Sequence, residues 1–116
     1  MSQEACIFCR IIAGDIPSKN VYEDDVCVAF HDLDPQAPVH ILIVPRKHFV
    51  SLATAGEQHK ETLGHLLLTC GKIAREQNLA ENGYRVVINT GDHGGQTVSH
   101  LHVHLLGGRE FVFPPG

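Results

Sequence analysis

Between Glu57 and Leu79 the apolar side chains Leu63, Leu66, Leu67, Cys70, Ile73 and Ala74 recur three and four positions apart. That is the spacing of one face of an α-helix, and it predicts a long helix over residues 57–79. Gly64 and Gly71 lower its intrinsic propensity and suit close packing instead. The stretch CIFCRIIAG predicts a short helix ending at Gly14, and IPS breaks it. The rest of the chain alternates or runs apolar over short lengths. NVYEDDVCVAFHD predicts two strands joined at Asp24-Asp25, DPQAP a loop, VHILIVP a strand stopped by Pro45, and YRVVINT another strand. GDHGGQT is a glycine-rich loop, SHLHVHLLGG a last strand, and REFVFPPG an extended tail. This order predicts an α+β fold, an antiparallel sheet with one long and one short helix.

At 116 residues the chain is expected to form a single domain, 1–116, with a core of its own. An apolar content of 43% is ordinary for a globular protein. No apolar run approaches membrane-spanning length, and no secretory leader pattern opens the chain, so no membrane association and a cytoplasmic location are expected. A net charge of −4 argues against a nucleic-acid groove, which needs a basic face. It leaves room for one small phosphorylated ligand, which a few N–H groups and histidines can hold.

The chemistry concentrates in HLHVH. His100, His102 and His104 alternate with Leu101, Val103 and Leu105. On a strand this puts the apolar residues in a core and the imidazoles on one shared surface. Imidazole titrates near neutral pH and serves as base, acid, metal ligand or nucleophile. Directly upstream, Gly94 and Gly95 permit tight turns that expose N–H groups to anionic oxygens, and Gln96, Thr97 and Ser99 add donors. A glycine pair alone is most often a plain turn; set just before H-x-H-x-H it points to phosphate chemistry.

GGQTVSHLHVHLLGG resembles the histidine-triad (HIT) motif, and IFCRIIAGDIPS, VYEDDVCVAFHDLDPQAPVHILIVPRKH, GYRVVINTGDHGG and the terminal PPG extend the likeness over nearly the whole chain. The details resemble the histidine-triad nucleotide-binding (Hint) branch, whose members are homodimeric purine nucleoside phosphoramidases that release AMP from phosphoramidates and related adenylates. The resemblance implies a HIT-like fold, a two-fold dimer and a purine nucleotide substrate, with no cofactor required for catalysis. By position it implies His102 as the nucleophile at the α-phosphorus, forming a nucleotidyl-histidine that water hydrolyses. His104 would contact the phosphate, and His100 and His40 would orient and polarise the nucleophile. Asp32 would bind the ribose hydroxyls beside Leu33. Asn89, Gly95, Gln96 and Thr97 would surround phosphate and leaving group, and Phe8, Ile11, Ile16 and Phe30 would wall the base. Without the resemblance, His40 is most simply a core histidine bonded to backbone, Asp32 a turn residue, and Phe8, Ile11 and Phe30 core. Relatives often carry tryptophan before the terminal PPG, where this chain has Phe113, so leaving-group preference is the least constrained part of the likeness.

CIFC sets Cys6 and Cys9 on one helical face. A closed zinc site needs four ligands, and no second C-x-x-C exists, so the others would be distant histidines, His48 and His100 being candidates. Some histidine-triad proteins are similar, with such a structural zinc, and others lack the cysteine pair. Buried or free thiols are the alternative; a thioredoxin-like redox role lacks its βαβ context. Cys27 and Cys70 read as core, and His31, His59, His65 and His93 as surface or supporting residues. Two other functions stay open: a dinucleoside polyphosphate hydrolase, and a nucleotide- or zinc-binding interaction module whose hydrolysis is incidental.

Overall fold

The computed structural model describes residues 5–116. The chain runs α1 (Ile7–Ile12), β1 (Asn20–Glu23), β2 (Cys27–His31), β3 (Val39–Pro45), a 3₁₀ turn (Glu57–His59), α2 (Lys60–Glu76), β4 (Arg85–Val87) and β5 (Val103–Gly107). The five strands form one antiparallel sheet in the order β1-β2-β3-β5-β4. The predicted α+β architecture is therefore present, long and short helix included. Among the described residues no helix is long and apolar enough to cross a membrane.

Period two along the central strands sorts side chains to the two faces. Ala29, Ile41, Ile43, Val103 and Leu105 face α2 and pack with its Leu66, Cys70, Ile73 and Ala74. Val28, Phe30, Leu42 and Val44 face the other way, against Cys6 and Phe8 at α1. The cross-strand pairs Ile41↔Leu105 and Leu42↔His104 tie both faces to one register. His40 and His104 therefore share the α1 side with Leu42, while the apolar members of HLHVH fill the core opposite.

Three elements depart from the sequence pattern. Leu67 is not part of the buried stripe of α2 but stands 51% exposed beside Leu68. The helix stops at Glu76, because Asn78 takes a left-handed φ of 61° and Leu79 N–H closes onto the Ala74 carbonyl. The last strand begins at Val103, not Ser99. Its partner β3 ends at Pro45, which has no N–H to extend the ladder. The chain there leaves the sheet, and Leu101 N–H donates instead to the Phe49 carbonyl at 2.8 Å. β4 is likewise shorter than YRVVINT suggests, three residues long.

Candidate active site

α1, the β2–β3 loop and β5 enclose a cleft of about 240 Å³. Phe8, Ile11, Ile16, Phe30 and Leu42 form its apolar wall, Asp32 and Leu33 its rim, and Thr97, His102 and His104 its polar end. Every residue assigned to the base and ribose from the sequence lines this one space. Ile7, Pro17, Ser18, His31, Leu42 and Val98 line it too. All six lie in stretches that carry the likeness, but none was singled out from the sequence; for Leu42 the period-two position beside Phe30 was the available signal.

The hydrogen bonds fix which nitrogen of each imidazole carries the proton. His102 Nδ1 lies 2.7 Å from the His100 carbonyl. A carbonyl only accepts, so Nδ1 is protonated and Nε2 keeps the lone pair. His40 Nδ1 lies 3.0 Å from the Gln36 main-chain N–H, which only donates. His40 therefore carries its proton on Nε2, which reaches His104 Nδ1 at 2.9 Å and Asp32 Oδ2 at 3.4 Å. His104 accepts on Nδ1 and keeps Nε2–H for the cleft. Burial lowers the pKa of His40 and His102. Burial, with repulsion from His102 and His40, brings His104 down to about 4. The rings are thus neutral at neutral pH, a state in which one can be a nucleophile and another a hydrogen-bond donor. Phe8 meets the His102 ring edge-on at 5.0 Å and holds its plane.

The ring of His100 leaves the face shared by His102 and His104 and lies with Cys6, Cys9 and His48, where its candidacy as a metal ligand placed it. Its ring is fully buried and does not reach His102. Nε2 bonds the Pro45 carbonyl at 2.9 Å, leaving the Nδ1 lone pair on Cys6 Sγ at 3.3 Å and Cys9 Sγ at 3.5 Å. What it offers His102 is its main-chain carbonyl. The cause is the early end of the ladder: upstream of Val103 the chain no longer alternates in register with β3. Asn89, Gly95 and Gln96 also lie outside the cleft lining. Asn89 Nδ2 donates to the Gly94 carbonyl at 2.7 Å, and Gln96 bridges Gly91 N–H to the Val50 and Val98 carbonyls. They hold the glycine loop in shape beside Thr97. A Cβ on Gly94 would sit 2.2 Å from the Thr90 oxygen, so this turn admits only glycine.

Behind the cleft, Cys6, Cys9, His48 and His100 bring their ligand atoms within 4.8 Å of one another. Cys9 Sγ lies 3.2 Å from His48 Nδ1. A tetrahedral zinc with ordinary Zn–S and Zn–N bonds needs S···N edges of about 3.6 Å; the three observed are within a few tenths of that. The His100 tautomer fits as well, with Nδ1 free to ligate and Nε2–H held by a carbonyl. Burial, together with the neighbouring Cys6 thiol, raises Cys9 to about 11; a divalent cation would reverse that by stabilising the thiolate.

A fold of this order with a histidine pair and relay at one sheet face is that of the HIT domain, whose family model matches residues 13–111. The chain belongs to that family. It is 47% identical over 106 residues to the purine nucleoside phosphoramidase of Escherichia coli K12, covering 91% of this chain and 89% of that one. A crystal structure of a HIT family hydrolase from Legionella pneumophila superposes with a TM-score of 0.94 at 45% identity, covering 96% of this chain and 99% of that one. A zinc-bound histidine triad family protein from Mycobacterium smegmatis superposes at 0.81 with 31% identity, covering 93% and 78%.

Proposed function

We propose that this chain is a purine nucleoside phosphoramidase and adenylate hydrolase working through a nucleotidyl-His102 intermediate. The observation that carries the reading is the His102 ring, neutral and proton-locked on Nδ1 by the His100 carbonyl, with its Nε2 lone pair at the polar end of an apolar cleft. The similarity to the E. coli phosphoramidase and the Legionella hydrolase supports the reaction class. Purine and ribose lie along Phe8, Ile11, Ile16, Phe30 and Leu33, with the hydroxyls on Asp32. His102 Nε2 attacks the α-phosphorus; the P–N bond breaks, and the amine departs taking up a proton from solvent. His104 Nε2–H donates to a phosphate oxygen, backed by His40. Asn89, Gly95, Gln96 and Thr97 shape the loop around phosphate and leaving group. Water then cleaves the P–N(His102) bond and AMP is released.

Cys6, Cys9, His48 and His100 would hold a structural zinc, which supplies folding free energy and holds His100 in place. Catalysis itself needs no cofactor in this reading. The working form is a homodimer, consistent with the apolar Leu67 and Leu68 on the outer face of α2 and Val86 on the free edge β4, all exposed. None of the four cysteines is in a disulfide, which suits a cytoplasmic location.

Turnover of an adenosine phosphoramidate should exceed that of a diadenosine polyphosphate by orders of magnitude. His102→Ala should lower kcat by at least ~10³-fold and keep AMP affinity within about tenfold. Rapid quench with labelled substrate should trap the nucleotide on His102. A label on His100 or His104, or wild-type turnover in His102→Ala, overturns the assignment.

A further inference from the structure

Asp32, His40 and His104 bring three ligand-type atoms together at the cleft, a set that by composition alone suits either a metal or a proton relay. One main-chain group decides between them. A metal on His40 Nε2 would require the proton on Nδ1, where the Gln36 N–H already points from 3.0 Å. Two N–H groups cannot face each other at that distance. The Gln36 N–H thus makes His40 a donor, and the order of protons follows outward: Gln36 N–H to His40 Nδ1, His40 Nε2–H to His104 Nδ1 at 2.9 Å, and His104 Nε2–H to the cleft.

The loop carrying Gln36 is in turn held from outside the site. Its side-chain amide donates to the Asp34 carbonyl at 3.0 Å, and Asp34 N–H caps Asp32 Oδ1 at 2.9 Å. From beyond β5, Arg109 donates to the Gln36 carbonyl at 3.3 Å while its guanidinium lies 4.1 Å from the centre of the Phe111 ring. Arg85 sits 5.0 Å from that ring and bonds the Val112 carbonyl at 2.6 Å, so the strap bearing Phe111 is itself pinned. Gly108 lets the two segments meet: a Cβ there would be 2.8 Å from Pro38.

We infer that Gln36 and Arg109 are positioning residues for the reaction: Arg109, braced on Phe111, holds the Gln36 main chain so that its N–H imposes one tautomer on His40 and, through it, on His104. The inference rests on the proposed hydrolysis only for its kinetic consequence, since the tautomers can be read without substrate.

Nitrogen-15 spectra of the imidazoles of the full-length, metal-loaded protein at neutral pH should show His40 and His104 both as Nε2–H. Arg109→Ala should shift His40 toward a mixture of tautomers. With a phosphoramidate substrate it should lower kcat by about three- to tenfold, the net worth of one ordinary hydrogen bond, with little change in KM. Arg109→Lys, which can still donate to the Gln36 carbonyl, should recover part of both effects. Gln36→Pro removes the N–H itself and should mix the tautomers further; should it not fold, the Arg109 pair still decides. An Nδ1–H tautomer at His40 in the wild type, or unchanged tautomers in Arg109→Ala, overturns the inference. Absence of phosphoramidase activity with the expected tautomers would overturn the proposed function and leave the positioning intact.

Discussion

Truncating Phe8 tests whether the short helix α1 is a working wall of the site or a decoration on it. Phe8 is 5% exposed and makes three aromatic contacts, with Phe30 at 5.8 Å, His102 at 5.0 Å and His100 at 5.9 Å. Phe→Ala in a core costs about 3–5 kcal/mol. The lower end applies, because the vacated space joins the open cleft and fills with water. For 116 residues an unfolding entropy near 2.1 cal/mol/K per residue sums to ~0.24 kcal/mol/K, so about 3 kcal/mol lowers Tm by about 12 °C. Losing one aromatic contact on the base should also weaken nucleotide binding by about two- to tenfold. Phe8→Leu, which keeps most of the volume, should cost under about 1.5 kcal/mol. Calorimetry and AMP titration of both variants measure these effects. A Phe8→Ala protein melting within about 3 °C of wild type would show that α1 does not carry the packing assigned to it.

Asp32→Ala should weaken AMP binding by about tenfold while the single-turnover rate at saturation changes less, the reverse of His102→Ala; isothermal titration beside rapid quench separates the two. Protein purified without chelator should contain about one zinc per chain, and Cys9→Ser should lower both metal content and Tm; metal-free protein whose melting ignores chelator would end the zinc reading. Asp24 is penalised by burial, yet the bonds from Tyr22 Oη, His65, Cys27 N–H and Val26 N–H outweigh it and hold its carboxyl below the usual range. Its contribution is therefore complete above the unfolded value of about 3.9 and drains away as pH falls below that toward the folded value. Asp24→Asn should destabilise clearly at pH 7, and its stability curve should approach that of the wild type in acid. A gap of equal size at both ends in urea titrations would contradict the assignment.

The long helix was readable because Leu66, Cys70, Ile73 and Ala74 meet the sheet through a local repeat, and the cleft because its residues fall within recognisable stretches. What the sequence withheld depends on partners far along the chain. His100 was already a candidate partner for the thiols, but that its ring leaves the strand face of His102 depends on Pro45, which ends the ladder 55 residues earlier. Gln96, read as a phosphate-side donor, also staples residues 50 and 91, which no motif announces. No spacing rule announces that a main-chain N–H at Gln36 sets His40, or that Asp24 in a strand turn receives His65 from α2. Main-chain donors have no letter in the sequence, so their roles appear only once the chain is folded.

The six residues of α1 are too few to persist as a helix in water. They are ordered by what they touch, with Cys6 and Cys9 turned to the imidazoles behind and Phe8 and Ile11 to the cleft in front. If, as proposed, an ion is held at the rear and a nucleotide at the front, the two would draw on the same conformational entropy. Whichever arrived second would find the partition already stiffened, so each would tighten the other by an equal factor. A partition of fewer than two helical turns would then join two sites with separate chemistry into one cooperative unit.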